Sequence, residues 1–301
     1  MTTTNANRPD VYTRVTETII THLEAGIRPW QRPWSAGYTD RRIVRPLRAC
    51  GTPYRGVNVL SLWLAATEKG YTSPYWLTFN QAKELGGFVK KGEHGSLVVY
   101  ANSVRKTEKD DQGETVEHDI FFMKGYTVFN AAQVDGLPER LTAPVPVPTG
   151  RTEDRVGYAD AFFRATGAEV KHGGDRAYYG LLADRIQMPP FVAFKDRESY
   201  YATLAHEVVH WTRHPKRLNR DFDQKTWGDE GYAREELVAE IGAAFLCADL
   251  GLTLEPREDH AAYLASWLTV LKNDKRAIFQ ASSHAQKAAD YLHNLQPKPA
   301  A

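Results

Sequence analysis

The segment TLAHEVVHW, residues 203–211, places two histidines four positions apart. On a helix this spacing directs both imidazoles from one face, which predicts that His206 and His210 bind one metal ion. Glu207 follows the first histidine, and its carboxylate can take a proton from a water molecule at the metal and pass it to a leaving amine. The pattern predicts a metal-dependent peptidase centre with Glu207 as the general base. The alternative is a helix with two partly buried, hydrogen-bonded histidines.

A zinc centre of this type needs a third protein ligand and an open position for water. Residues 232–251, YAREELVAEIGAAFLCADLG, have the pattern of a helix that ends at Gly251. Glu236 and Glu240 share one face of this helix, and small residues on or near that face would let it pack closely against the histidine helix. A cation opposite this face would explain the two acids, and a solvated acidic face is the alternative. Glu235 is expected to be the solvated acid.

Charge is distributed unevenly, although the formal net charge is only +1. Residues 1–106 contain 15 Lys and Arg against 7 Asp and Glu, a balance of +8. Residues 107–138 contain 2 against 7, a balance of −5. The basic block favours a polyanionic partner, because neutralising phosphates releases counterions. A solvated basic face explains the charge equally well.

Aromatic and arginine residues alternate in the basic block. This combination is typical of single-strand binding, in which bases stack on rings and basic side chains hold phosphates. The glycine-bracketed loop GGFVKKGEHG, residues 86–95, adds two lysines. The predicted nucleic-acid contacts are Trp30, Trp34, Arg41, Arg42, Arg45, Arg48, Arg55, Lys90 and Lys91. No base-reading motif is evident, so binding is expected to be independent of sequence, and a packed core better explains aromatic residues such as Trp63 and Trp76.

Two domains are predicted on either side of the Pro-rich segment 141–152, which favours an extended linker. Residues 1–140 predict an α+β domain with a β-hairpin, and residues 153–301 predict a mostly helical domain with a small sheet. If the linker is a tether, the two domains should fold independently. The elements that the patterns indicate are helices over 12–25, 57–69, 156–166, 199–213 and from 232 onward, and strands over 96–104, 119–129, 169–172 and 184–188.

Two cysteines, Cys50 and Cys247, are too few for a disulfide framework or a thiolate metal site, and both are interpreted as buried thiols. No stretch approaches the roughly 20 apolar residues of a membrane span. The first residues also lack the features of a secretory signal. We therefore expect a cytoplasmic protein without a membrane partner.

On these residues, the chain resembles the ArdC antirestriction family over nearly its whole length. The matching segments include LEAGIRPWQRPW, YRGVNVLSLW, WLTFNQAKELGGFVKKGEHGSLVVY, YYATLAHEVVHWTRHPKRLNR and YAREELVAEIGAAF. The resemblance implies an N-terminal single-stranded-DNA-binding domain and a C-terminal gluzincin-like metallopeptidase domain. It also implies that Glu236 is the third ligand and that Glu240 orients a ligand histidine. The implied cofactor is one Zn²⁺ per chain, with Mn²⁺ or another divalent metal also compatible.

The family is associated with conjugative plasmids, where it helps incoming DNA to escape host restriction. The resemblance therefore predicts an antirestriction protein that binds single-stranded DNA and carries a zinc-dependent peptidase site. A peptidase tethered to a DNA-binding domain would be concentrated near DNA-bound proteins, so host proteins that act on incoming DNA are its candidate substrates. The alternative is a non-catalytic single-strand-binding protector whose metal site is structural. A nuclease is disfavoured, because one His-Glu-His site lacks the carboxylate-rich two-metal clamp common for phosphodiesters. Candidates for stabilising the oxyanion are Tyr178, Tyr179 and Tyr232.

Overall fold

The computed structural model describes residues 9–30, 44–109, 115–143, 152–223, 228–252 and 260–297. Within these ranges the helices are α1 (Val11–Glu24), α2 (Val57–Lys69), α3 (Phe79–Glu84), α4 (Glu139–Thr142), α5 (Thr152–Ala165), α6 (Arg197–Trp211), α7 (Glu230–Leu250), α8 (His260–Asn273) and α9 (Ala277–Asn294). The strands are β1 (Leu47–Arg48), β2 (Tyr75–Leu77), β3 (Phe88–Val89), β4 (Ser96–Lys109), β5 (Thr115–Asn130), β6 (Val134–Asp135), β7 (Glu169–His172), β8 (Tyr178–Gly180) and β9 (Arg185–Met188). The extended part of the predicted linker lies outside the described residues.

The N-terminal half is built on a four-stranded sheet with the order β1-β2-β5-β4. Strands β4 and β5 form the predicted hairpin, which is longer than the sequence pattern indicated because its pairing continues to Lys109 opposite Thr115. Among the described residues, strand β4 is one of the two edges of this sheet, and the Asn58 side chain of α2 covers part of that edge. Its Oδ1 accepts from the Val99 amide at 2.7 Å and its Nδ2 donates to the Val99 carbonyl at 2.8 Å. Helix α2 therefore anchors the base of the hairpin.

The C-terminal half combines a three-stranded sheet with the order β7-β9-β8 and the helices α5 to α9. Strand β9 is central, parallel to β7 and antiparallel to β8. The predicted strands at 169–172 and 184–188 are confirmed, whereas β8 was not predicted because three residues are too few to show a period. Both β8 and β9 pack against α6, the helix that carries the two histidines.

The two halves share one hydrophobic core. Helix α1 packs against α8, and α2 packs against α9. The Trp30 ring meets Trp267 edge-on at a centroid distance of 5.5 Å, and Trp63 meets Phe245 at 5.9 Å. The expectation of independently folding, tethered domains therefore does not hold, because each half completes the core of the other. The boundaries at residues 140 and 153 stay a prediction.

The two cysteines occupy different environments. Cys247 is buried, as expected, but Cys50 is exposed in the turn after β1, so the interpretation of both as buried thiols is wrong for Cys50. A turn residue packs against little protein, and the sequence around Cys50 contains no period that would have indicated exposure. Among the described helices, none is both long enough and apolar enough to cross a membrane.

Candidate metal centre

Helix α6 positions both histidines in the interior of the C-terminal half. Its N-cap is Asp196, whose carboxylate accepts a hydrogen bond from the Ser199 amide at 2.7 Å. From residue 204 to its end every side chain is buried, including His206, Glu207 and His210. Buried polar side chains need hydrogen-bond or ionic partners, so the groups around these three residues indicate what they can bind.

Helix α7 supplies those partners because it lies unusually close to α6. A Cβ added to Gly242 would lie 2.8 Å and 2.9 Å from the two methyl carbons of Val209, so only glycine fits at this crossing. Val209 lies between the two histidines on α6. The close approach therefore brings the acidic side chains of α7 within reach of the imidazoles, as the small residues of its sequence predicted.

The donor atoms of His206, His210 and Glu236 converge on one point. The two Nε2 atoms are 3.1 Å apart, and the Glu236 carboxylate oxygens lie 3.5 Å from His206 Nε2 and 3.4 Å from His210 Nε2. One donor atom from each residue lies within 4.8 Å of the others. Donors at zinc-ligand distances from a tetrahedral ion are about 3.3 Å apart, so the spacing of these atoms is compatible with a divalent cation. The geometry supports the predicted ligand set, whose binding role remains a prediction.

Each imidazole also has a carboxylate close to its second nitrogen. His206 Nδ1 lies 3.2 Å from a Glu240 carboxylate oxygen, and His210 Nδ1 lies 3.0 Å from Glu235 Oε1. Carboxylates in these positions fix ring orientation and make the other nitrogen a better ligand. Glu240 is therefore close enough to His206 for the orienting role that the resemblance implies, and that role stays a prediction.

The expectation that Glu235 is solvated is wrong. Its side chain is buried, and its carboxylate accepts from Arg220 Nε and Nη2, each at 2.7 Å. Arg220 also donates to the Val209 carbonyl at 3.0 Å and to Thr212 Oγ1 at 3.2 Å. Arg220 was not identified from the sequence, because nothing in its local pattern distinguishes a buried arginine from a surface one. It connects the end of α6 to α7 through Glu235.

The electrostatics of the cluster favour a cation. Burial alone would lower the pKa of His210, but the nearby Glu236 and Glu235 carboxylates outweigh burial and raise it to about 10. Burial would raise the pKa of Glu236, yet His210 and His206 hold it well below its usual range. Burial would also raise the pKa of Glu235, but the Arg220 guanidinium lowers it to about 2. Four acids of α6 and α7 are buried, Glu207, Glu235, Glu236 and Glu240, and Arg220 pairs with one of them, Glu235.

Of the three candidate tyrosines, Tyr232 lies on α7, about one helical turn before Glu236. Burial and then the neighbouring Glu236 carboxylate raise the pKa of its phenol, and its hydroxyl is 3.0 Å from that of Tyr263. The Tyr179 hydroxyl is instead engaged by Asp184 at 2.9 Å, and Tyr178 is exposed. Tyr263 was not identified from the sequence, since it lies on α8, a separate helix.

Two predicted nucleic-acid contacts require correction. Trp30 has 0% exposure and packs against Trp267, so its ring is not accessible to a base. Arg45 is buried, pairs with Asp249 through two hydrogen bonds of 2.9 Å and lies over the Phe245 ring at 4.0 Å. Both residues join the two halves of the protein. The other predicted contacts are the exposed Arg48, Arg55, Lys90 and Lys91, together with Trp34, Arg41 and Arg42, which lie outside the described residues.

The C-terminal fold and its centre define a zincin-like protein, since residues 157–284 match the family described as zincin-like metallopeptidase. Residues 9–129 match the N-terminal domain of the anti-restriction factor ArdC. The chain therefore belongs to the ArdC antirestriction family, and the resemblance and the predicted two-domain α+β fold class are confirmed.

Solved structures of a family member cover almost the whole chain. The metal-free crystal structure of the antirestriction protein ArdC from plasmid R388 is 48% identical, with a TM-score of 0.79 over 95% of this chain and 98% of that chain. Its Mn(II)-bound structure is 46% identical, with a TM-score of 0.77 and the same coverage. That relative has therefore been solved both without metal and with a divalent ion.

Sequence relatives extend the comparison. Protein y4eC from Sinorhizobium fredii is 42% identical over 95% of this chain and 92% of its own length. A DNA primase TraC from Escherichia coli is 37% identical over 95% of this chain, but the match covers only 27% of the primase. A region similar to almost this whole chain thus makes up most of protein y4eC and a small part of the much longer primase.

Proposed function

We propose that this chain is an antirestriction protein that binds single-stranded DNA and hydrolyses a peptide bond with a divalent metal ion, by preference Zn²⁺. The observation that carries the proposal is the convergence of His206, His210 and Glu236 on one point, with Glu207 buried on the same helix. Family membership and the Mn(II)-bound relative support the choice of a divalent ion. A single-metal centre of this composition suits water attack on a carbonyl.

The chain's own residues provide the proton transfers. Glu207 accepts a proton from the attacking water and delivers it to the leaving amine, as a general base that becomes a general acid. Glu235 and Glu240 hold the two imidazoles in their ligand orientations. Tyr232, held by Tyr263, is the tyrosine we assign to the developing oxyanion. The bound ion would supply Lewis-acid polarisation of the scissile carbonyl.

A protein substrate is supported by the sheet beside α6. Among the described residues, β8 is an edge strand, with β9 on its one paired side. An extended peptide can add to such an edge through main-chain hydrogen bonds. The loop after β8 also exposes the apolar side chains of Leu181 and Leu182. Host proteins that act on incoming DNA are the substrates we propose.

The DNA-binding part of the proposal rests on the +8 balance of residues 1–106 and on the exposed Arg48, Lys90 and Lys91. Phosphate contacts of this kind bind without regard to sequence. Two relatives are DNA primases, and the match to this chain covers 27% and 20% of their lengths. Segments similar to this chain therefore occur in proteins whose names refer to DNA synthesis.

The test compares wild type with Glu207→Gln in a transfer assay, in which unmodified DNA enters a restriction-proficient host. Metal content and affinity for a single-stranded oligonucleotide are measured on the same purified variant. Loss of protection, with metal content and DNA affinity unchanged, supports a peptidase. Full protection by Glu207→Gln would favour the non-catalytic protector with a structural metal.

A further inference from the structure

An aromatic cluster lies on one face of the β4–β5 hairpin, in the half nearest the rest of the protein. The strand register pairs Tyr100 with Lys124 and Asn102 with Phe122. Cross-strand partners and alternate residues of a strand share a face, so Tyr126 lies on this face as well. Tyr100 is 47% exposed and Tyr126 is 46% exposed. We call the set Tyr100, Phe122, Lys124 and Tyr126 the hairpin aromatic face.

The side chains of the hairpin aromatic face hold one another in position. The Tyr100 ring is 6.3 Å from Tyr126 at 79°, and 6.3 Å from Phe122 at 53°. Lys124 Nζ lies 5.4 Å from the Phe122 centroid. Asn102 Nδ2 donates to the Tyr100 hydroxyl at 2.7 Å. The rings are therefore ordered before any ligand arrives, which lowers the entropic cost of binding.

The core of the protein does not account for these exposed rings. Val128 and Val98, on the same hairpin face, are buried at 1% and 6% exposure. The next residues on this face, Tyr126 after Val128 and Tyr100 after Val98, lie beyond the core, yet their side chains are large and aromatic. A sheet face beyond a core is ordinarily polar, so a half-exposed aromatic surface with an ammonium group indicates a ligand.

We propose that the hairpin aromatic face binds unpaired bases of single-stranded DNA by stacking, with Lys124 beside the phosphates. This inference rests on the proposed function and names the surface that carries out its DNA-binding part. Every base has a π-face, so a platform of tyrosines serves any sequence. The exposed Lys124 favours a polyanion over an apolar protein partner, and the loop at residues 86–95 adds the exposed Lys91.

The charge of the hairpin limits where the strand can run. Residues 107–119 contain six acids against one lysine, and a negative charge of this size repels phosphates. At the other end, Gly95 of the 86–95 loop packs so closely on Val128 that a Cβ would lie 2.8 Å from the Val128 carbonyl oxygen. The DNA is therefore expected to cross the basal half of the hairpin towards the exposed Lys91 of this loop.

The experiment uses the full chain and a fluorescent oligo-dT, with affinity measured by anisotropy at fixed salt. Replacing both tyrosines, Tyr100→Ala with Tyr126→Ala, should weaken binding at least about tenfold, because two stacking surfaces are lost. The pair Tyr100→Phe and Tyr126→Phe keeps the rings and should bind within about twofold of wild type. Tyr158→Ala removes a tyrosine of similar exposure, 58%, from α5 and is the matched control. Duplex DNA, whose bases are not free to stack, should not distinguish these variants.

Each contrary outcome overturns a defined step. If the double alanine variant binds like wild type and only its melting temperature falls, the rings merely brace the hairpin. If the phenylalanine pair loses as much affinity as the alanine pair, hydroxyl contacts and not stacking hold the DNA. If wild type binds the oligonucleotide and all variants equal it, this inference fails while the proposed function stands. If wild type binds no single strand, the DNA-binding part of the proposed function fails, and this inference with it.

Discussion

Replacing Glu235 with glutamine separates the support of the metal centre from the centre itself. Glu235 is buried, accepts two hydrogen bonds of 2.7 Å from Arg220 and lies 3.0 Å from His210 Nδ1. Glu235→Gln removes the charge and leaves the Arg220 guanidinium buried without its carboxylate. Breaking a buried ion pair in this way costs about 3–5 kcal/mol, and we expect about 3, because Arg220 keeps its bonds to Val209 and Thr212.

The expected size of the effect on melting follows from the length of the chain. A specific unfolding entropy of about 2 cal/mol/K per residue gives about 0.6 kcal/mol/K for 301 residues, so a loss of about 3 kcal/mol lowers the melting temperature by about 5 °C. Melting is measured in the presence of a chelator, because bound metal stabilises the folded state by mass action. Metal affinity, measured by competition with an indicator dye, should fall by about tenfold or more, since His210 loses a charged acceptor.

A double variant isolates the two effects. Arg220→Met combined with Glu235→Leu removes both charges and should melt much closer to wild type, because apolar residues can replace a buried pair at little cost. Its metal affinity should still fall, because His210 Nδ1 again lacks a carboxylate. Glu230→Gln, at an exposed acid of the same helix, is the matched control. Unchanged melting and unchanged metal affinity in Glu235→Gln would refute the reasoning.

The remaining predictions concern the ligands, the helix crossing and the shared core. His206→Ala should reduce bound zinc from one ion per chain to nearly none in elemental analysis, and undiminished stoichiometry would exclude it as a ligand. Gly242→Ala should cost about 1–3 kcal/mol through overpacking on Val209, and it should also weaken metal binding by spreading α6 and α7; calorimetry and the dye competition measure both. Arg45→Met should lower a single melting transition of the whole chain, whereas two separate transitions, only one of them altered, would contradict the shared core. Burial opposes the charge of Asp249, but His293 and Arg45 hold its pKa below the usual range. The ionised Asp249 carboxylate therefore stabilises the folded state above about pH 4, and this contribution is lost as pH falls through the lowered pKa. The difference in melting temperature between wild type and Arg45→Met should shrink accordingly at acid pH.

The sequence alone determined the features that depend on local spacing. A separation of four residues on a helix places His206 beside His210 and Glu236 beside Glu240, whatever surrounds those helices. Two runs rich in Val, Tyr and Phe with a polar turn between them similarly predicted the hairpin, and two short β-like segments predicted β7 and β9. The long segments that resemble the ArdC family further predicted that the second half is a zincin-like domain.

Only the tertiary structure decided which polar and aromatic side chains face inward. Glu235 and Glu236 are adjacent in sequence, and a helical pattern cannot show that both are buried, because α7 is covered by α6, α8 and α9 together. Trp30 and Arg45 lie in a segment rich in aromatic and arginine residues, and such a segment can form either a DNA-binding surface or part of a core. The structure decides for the core, because Trp267 packs against Trp30 and Asp249 pairs with Arg45. These contacts join residues more than 200 positions apart, and no local period carries information over that distance. The Pro-rich linker indicated separate domains, but the apolar faces of α1 and α2 are buried only when α8 and α9 cover them.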